Sequence, residues 1–388
     1  MRKRSRVSGP TARGRIWNYG KGPALFLPAR RSYSGRVIDT EEKLSELLPM
    51  LRAASWVAVD TEADSLHAYP EKVCLIQIST PAGEELVDPL AGFDLAPLLA
   101  ALSGRELIMH GADYDLRLLE KHHRFIPSSV FDTMLAARLI GERQFGYSSL
   151  VEKYLGVKLE KGPQKANWAR RPLTERMAKY ARNDTRYLRP LEDRLRGELI
   201  SLGRLEWHQE ACTRLIFECA QPRPEDEDRQ WRVKGSAALG RGALAVLREL
   251  WRWREKEAIA ANRPPFFILS PETMVSVAAS AATKRAYETL LPKGMSERRR
   301  AGVAEAVARG LAVPPDKCPR LIERTGRRPS DAERKRFLEL EKRRNAKAQE
   351  LGIDPTLIAS RATLSALARN WEKHSAELMQ WQRRLLTA

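Results

Sequence analysis

Three short stretches of the chain put carboxylates where packing alone would not. Asp60 and Glu62 end the apolar run WVAVDTE, and their two-residue spacing along a strand turns both side chains to one face. Asp113 and Asp115 follow a second apolar run, LIMH, at 107–110. Asp184 shares a helical pattern with Met177, Tyr180, Ala181, Tyr187 and Leu188, which sets Tyr180 one turn before it on the same face. A buried carboxylate without a partner is strongly disfavoured or takes up a proton, and three such segments meeting at one sheet edge repel one another. Hard divalent cations relieve that repulsion, because carboxylate oxygens suit Mg²⁺ and Mn²⁺. A pair of such ions suits the in-line displacement of a phosphoryl group. Each acid alone reads equally well as a helix cap or a surface residue. Their shared setting, at strand ends within one acidic segment, points to chemistry.

The elements that must position these acids follow from periodicity. Leu44, Leu47, Leu48 and Leu51 mark an amphipathic helix over 39–53, with Pro49 inside its second half. Short apolar runs at 56–60, 73–79 and 107–110 read as strands, and 85–87 pairs with the second across a turn at Gly83. Helices are expected from Leu116, over 130–140 and over 148–155, and one long helix runs from an N-cap at Thr174 to Leu195. This order predicts an α/β sheet covered by helices. Beyond residue 215 the strand signals stop. A polar, proline-containing linker at 222–228 leads into helices, and a second basic, proline-bounded break lies at 314–330. A long helix followed by PPFFILS, and another followed by PTLIASR, suggest a divergent tandem repeat. The expected division is a basic arm at 1–36, an α/β domain at 37–215, and helical domains at 226–313 and 325–388.

Charge narrows the partner. Over 388 residues, 68 Lys and Arg stand against 49 Asp and Glu, a net of +19, which favours a polyanion. The excess sits at the ends: residues 1–36 hold ten basic residues and no acid, and 216–388 carry a net of +12. Residues 37–149 carry −9 and residues 150–196 carry +7. No apolar run approaches the roughly 18 residues of a membrane span, so no membrane partner is expected. The arm has no long apolar stretch of the secretory kind. Four cysteines form no CxxC pair and are too few for a disulfide scaffold, so a reducing, cytoplasmic setting is expected.

Asp60-Thr61-Glu62, then HGADYDLRLL at 110–119, then Tyr180 and Asp184 four positions apart, resemble the three motifs of the DEDD superfamily of 3′-to-5′ exonucleases, in its tyrosine-bearing DEDDy branch. VCLIQIS and NWARRPLTERMAKYARND sharpen the resemblance to the ribonuclease D family. REKEAIAANRPPFFILSPETMVSVA resembles the HRDC domain that ribonuclease D shares with RecQ helicases, and a weaker HRDC-like unit follows. The resemblance spans about 37–388 and implies a ribonuclease H-like mixed sheet flanked by helices, followed by all-α HRDC-like domains. It implies a 3′-to-5′ exoribonuclease releasing 5′-mononucleotides from tRNA precursors or other structured RNA with a free 3′ end. It also implies that Asp60, Glu62, Asp115 and Asp184 hold two divalent cations, Mg²⁺ or Mn²⁺, and that Tyr180 orients the attacking water. Asp113 is the rival of Asp115; the family pattern, with an apolar residue directly after the acid, favours Asp115.

Leu66, His67, Tyr69, Trp168 and Arg171 are the candidate substrate contacts. Leu66 is placed to wedge against the terminal base, His67 and Tyr69 to stack on it, Trp168 to form either a wall or a core anchor, and Arg171, with Lys165 and Arg170, to meet phosphate. His110 reads as the end of a buried strand. Arg298–Arg300 and Lys342–Arg344 are candidate phosphate contacts, Trp231, Trp251 and Trp253 read as core, and Cys212 and Cys219 as small buried residues. Two other functions compete: a single-strand DNA exonuclease, suggested by DTEADSL, and a non-catalytic nucleic-acid-binding protein, which would require loss of a metal ligand.

Overall fold

The computed structural model describes residues 36–221, 227–322 and 328–387. Apart from Arg36, the basic arm lies outside the described residues, as does most of the linker at 222–228. Six strands form one mixed sheet: β1 (Val37–Ile38), β2 (Val57–Ala63), β3 (Val73–Thr80), β4 (Gly83–Val87), β5 (Glu106–Met109) and β6 (Ser129–Asp132), in the order β1-β4-β3-β2-β5-β6. β2, β3 and β4 pair antiparallel, while β1 runs parallel to β4 and β5 runs parallel to both β2 and β6. β3 is buried along its whole length on both faces, which is why VCLIQIS is mostly apolar and does not alternate between apolar and polar residues.

Eight helices surround the sheet: α1 (Glu41–Ala53), α2 (Ala96–Ser103), α3 (Asp113–His123), α4 (Thr133–Ile140), α5 (Tyr147–Leu155), α6 (Glu175–Arg186), α7 (Leu188–Ser201) and α8 (Leu205–Ala220). Residues of α1, α2 and α3 pack with the strands into one core, and residues of α4, α5 and α7 form another. α6 lies against β3, where Thr185 Oγ1 and Ser79 Oγ are 2.7 Å apart and buried.

Two expectations are corrected. The helix expected over 130–140 is a strand followed by a helix. Asp132 ends β6 and its carboxylate caps α4, accepting from the amides of Met134 at 2.8 Å and Leu135 at 3.1 Å. The single helix expected over 174–195 is two, broken at Tyr187. Pro190 is the physical reason, since continuing the helix would drive its ring into the carbonyl of Arg186 and leave that carbonyl unpaired. The two-residue strand β1 was not anticipated at all.

The helical part divides unequally. The first unit, with helices Arg241–Ala261, Pro271–Ala282 and Glu297–Leu311, has an apolar core of its own around Trp231, Leu247 and Val277. In the second unit, Ile358, Leu364, Trp381 and Leu386 join Phe131, Leu139, Leu191 and Leu195 of the α/β domain in a single core. Trp207 and Trp381 stack there at 4.8 Å. Arg204 donates to the carbonyls of Leu139 and Leu351, each at 2.7 Å. Gly141, at φ +107°, has no room for a side chain: a Cβ would fall 2.3 Å from the Gly352 carbonyl oxygen. The two units repeat in detail at a constant offset. Arg254 and Arg344 are buried, Asn262 and Gly352 end the long helices in the left-handed region, and Ser270 and Ser360 cap the next ones.

Candidate active site

β2 delivers Asp60 and Glu62, because WVAVD is held between two neighbouring strands and Asp60 lies opposite Gln77 of β3. The turn from β5 into α3 delivers Asp115. Gly111 adopts φ +68°, and the amides of Gly111 and Ala112 donate to the Asp132 carboxylate at 3.1 and 2.8 Å. One buried acid therefore fixes both the turn that aims Asp115 and the start of α4. α6 delivers Tyr180 and Asp184, one turn apart, from a helix whose N-cap is Thr174, accepting from the Met177 amide at 3.2 Å.

Asp115 is buried and accepts from Thr61 Oγ1 at 2.5 Å. Asp113 points elsewhere: it pairs with Arg117 at 2.9 Å and its carboxylate meets the Cys219 thiol. Burial, then repulsion from Asp115, Asp184 and Glu62, holds Asp60 well above the carboxylate range. Burial, then Asp184 and Asp115, pushes Glu62 up to about 9. Burial pushes Asp184 up to about 8, offset in part by the Tyr180 hydroxyl, and pushes Asp115 up to about 6. Burial, then the charge of Asp184, also raises Tyr180, so its hydroxyl keeps its proton at neutral pH.

These four acids are crowded and starved of positive partners. Among the described residues, Asp184 Oδ2 is buried with no hydrogen-bond partner, and so are both amide atoms of Gln77 across from Asp60. An orphaned carboxylate oxygen among mutually repelling acids is the environment a hard divalent cation neutralises, and an all-oxygen donor set suits it. Among the described residues, no group of three or more His, Cys, Asp or Glu side chains forms a metal site as it stands.

Two cavities open onto the acids and share Asp60 and Gln164. The smaller, about 250 Å³, is lined by Asp60, Glu62, Leu66, Tyr114, Asp115 and Gln164. The larger, about 850 Å³, runs from Asp60, Tyr180 and Asp184 to a rim of Lys158, Lys161, Arg176 and Lys179, interspersed with Glu152 and Glu160, the latter pairing with Lys179 at 3.1 Å. The rim falls within the basic stretch 150–196 read from the sequence, which did not single out its four residues; Gln164 and Tyr114 escaped that reading. A run of lysines before Trp168 was the available signal for the rim, but Gln164 and Tyr114 carry no such mark. The loop over the larger cavity lies directly on Tyr180, because a Cβ on Gly162 would come within 1.5 Å of that ring.

The candidate substrate contacts separate. Leu66 is exposed in the smaller cavity, beside Glu62 and Asp115. His67 is nearby, but its Nε2 lies 3.0 Å from the Lys165 carbonyl oxygen and ties two loops together. Tyr69 is not aimed at the acids, since its hydroxyl donates to Glu255 of the first helical unit at 2.5 Å. Trp168 is 1% exposed within the core behind Tyr180, so it is an anchor and not a wall. Arg171 is likewise occupied, gripping Asp88 through Nε and Nη2 at 2.5 Å and donating to the carbonyls of Cys74 and Trp168 at 2.7 Å. His110 meets Thr133 Oγ1 at 2.9 Å and burial lowers its pKa, so it stays neutral at the cavity's edge. The arginine runs are also engaged: Arg298 and Arg299 pair with Glu257, Arg343 donates to the Leu386 carbonyl, and Arg344 to that of Ala359.

A family model described as 3′-5′ exonuclease matches residues 36–200, and one described as HRDC domain matches residues 243–286. The chain is 32% identical over 356 residues to the ribonuclease D of Gluconacetobacter diazotrophicus, covering 89% of each sequence. It is 29% identical to that of Desulfotalea psychrophila, covering 90% of this chain and 96% of the relative. Among solved structures, Escherichia coli RNase D, described as an exoribonuclease involved in structured RNA processing, superposes with a TM-score of 0.70 at 26% identity, over 91% of this chain and 98% of that one. The catalytic core of RRP6 from Trypanosoma brucei superposes with a TM-score of 0.60 at 27% identity, over 71% and 78%. With its mixed sheet, its helical tail and relatives that span nearly its whole length, the chain belongs to the ribonuclease D family of 3′-to-5′ exoribonucleases.

Proposed function

We propose that Asp60, Glu62, Asp115 and Asp184 hold two divalent cations, Mg²⁺ or Mn²⁺, and that the chain removes 5′-mononucleotides from the 3′ end of structured RNA such as tRNA precursors. The observation that carries this reading is the convergence of four mutually repelling acids from β2, α3 and α6 near Tyr180, Asp115 buried and Asp60, Glu62 and Asp184 half-buried. When bound, such cations supply the charge that activates a water and stabilises the leaving 3′ oxygen. Tyr180 keeps its proton and orients the attacking water by hydrogen bond. Leu66 packs on the terminal base through its apolar surface, which does not discriminate base identity. Lys158, Lys161, Arg176 and Lys179 draw the phosphate backbone along the larger cavity. The helical domains, an HRDC domain at 226–313 and a second HRDC-like one at 325–388, add affinity for the body of the RNA. No helix among the described residues is long and apolar enough to cross a membrane, and a cytoplasmic site of action fits RNA processing.

The test is a product ladder from a 5′-labelled tRNA with a 3′ extension, run with Mg²⁺, Mn²⁺ or EDTA. Stepwise shortening from the 3′ end is expected with either metal and none with EDTA. Asp60→Asn leaves no turnover above the EDTA background, while Asp113→Asn retains activity. An active Asp60→Asn variant sinks the reading. A DNA oligonucleotide degraded as fast as RNA would replace it with a DNA exonuclease.

A further inference from the structure

The loop that carries Leu66 out of β2 is a knot of short-range contacts. Asp64, fully buried, accepts from the Lys72 amide at 2.8 Å and pairs with Lys72 Nζ at 2.6 Å. The amides of His67 and Ala68 donate to the Asp64 carbonyl at 2.7 and 2.9 Å. Lys121 holds Glu71 at 2.9 Å, and His67 meets the Lys165 carbonyl. All of these partners belong to the α/β domain.

The tip of the loop is anchored elsewhere. The Tyr69 hydroxyl donates to Glu255 Oε2 at 2.5 Å, and the Tyr69 amide donates to Asn262 Oδ1 at 3.3 Å. Glu255 lies on the long helix Arg241–Ala261 of the first helical unit, and Asn262 is that helix's C-cap in the left-handed region. Both anchors have a fixed direction. Arg254 donates to Glu255 Oε1 at 2.9 Å, which leaves Oε2 for Tyr69. The left-handed backbone of Asn262 turns its side chain off the helix end. Burial, and then the Glu255 carboxylate, raises Tyr69 to about 12, so it is the donor at any working pH. Unlike the second unit, the first shares no apolar core with the α/β domain among the described residues. Its grip on the Leu66 loop is therefore polar and directional rather than a packed seam.

We infer that Glu255 and Asn262 are positioning residues for the exonuclease reaction: acting through Tyr69, the first helical unit sets where Leu66 meets the 3′-terminal nucleoside. This rests on the reading of Leu66 as the terminal-base contact. A nucleoside held off its reacting position loses rate more than affinity, whereas loss of domain docking alone would weaken RNA capture.

The experiment uses the full chain and steady-state cleavage of an unstructured oligoribonucleotide. Tyr69→Phe and Glu255→Ala are each expected to lower kcat by roughly threefold to tenfold, the range of one lost hydrogen bond, with a smaller change in KM. Glu255→Gln keeps an acceptor for Tyr69 and is expected to restore most of the rate. In a Leu66→Ala background, Glu255→Ala should have no further effect, because the side chain it aims is gone. Melting temperatures near the parent's certify that the variants fold, and Tyr69→Phe breaks the bond without freeing Arg254. Effects confined to KM, or additive with Leu66→Ala, would overturn the inference in favour of plain docking. A Leu66→Ala variant with unchanged kcat and KM would instead remove the Leu66 reading on which the inference stands.

Discussion

Glu62→Gln should inactivate the enzyme and, in the absence of divalent metal, make it more stable. In the unfolded chain this carboxyl ionises near 4.5; in the fold it keeps its proton up to about 9. Between those values the unfolded form gains free energy by releasing a proton that the native form retains. The stabilising contribution is thus complete below pH 4.5 and is lost progressively as pH rises to about 9. Acting alone, the group would lose about 1.4 kcal/mol per pH unit, or a ceiling of about 4 kcal/mol by pH 7.5. The acids titrate as a coupled cluster and share the proton load, so about 2 kcal/mol is the working figure. Glutamine has the same shape and cannot ionise. In EDTA, parent and variant should melt together at pH 4.5, and the variant should melt higher by about 4–8 °C at pH 7.5. The gap should widen to pH 9 and then level off. Mg²⁺ or Mn²⁺ should raise the melting temperature of the parent more than that of the variant, since the metal displaces the protons that the acids otherwise hold. A difference that does not change with pH, or a variant less stable at pH 7.5, would refute the picture of Glu62 as a crowded, half-buried acid.

Two further outcomes follow from the same geometry. Tyr180→Phe should slow turnover about tenfold to a hundredfold by removing the bond that orients the water, with the shape of the pH–rate profile between 6 and 9 unchanged; disappearance of a limb of that profile would show that the hydroxyl titrates in the reaction. Arg171→Ala strands the buried Asp88 carboxylate and should destabilise the fold by about 3 kcal/mol while the salt dependence of RNA affinity stays as in the parent. A shallower salt slope with an unchanged melting temperature would make Arg171 a phosphate contact after all.

The acids were legible because an Asp or Glu inside an apolar run violates packing, and that violation is local in sequence. Tyr69 and Arg171 were not, because their roles depend on distant partners, Glu255 and Asp88, while Trp168 left a choice between wall and anchor that only the core behind Tyr180 decides. A residue type suited to stacking or to phosphate says nothing of what already occupies it. In the basic runs, Arg298, Arg299, Arg343 and Arg344 already donate to Glu257 and to backbone carbonyls, partners that lie far away in sequence. Among the elements, β6 was lost because SVF runs straight into the apolar residues of α4, although Asp132-Thr133 offered a helix-start signal between them. The break between α6 and α7 was written in Pro190, and β1, at two residues, is too short for any periodicity.

The core shared between the sheet and the second helical unit has a consequence for biosynthesis. Ile358, Leu364, Trp381 and Leu386 cover α4, α5 and α7, yet they are made long after Asp184. While translation is still short of them, the nascent nuclease presents an open apolar face, however complete its set of acids. An enzyme that consumes RNA thus stays unfinished until these residues have left the ribosome, among the RNAs of the translation machinery. A chain that stops early in the second unit should be recognised by chaperones and proteases as misfolded, rather than released as an unrestrained nuclease.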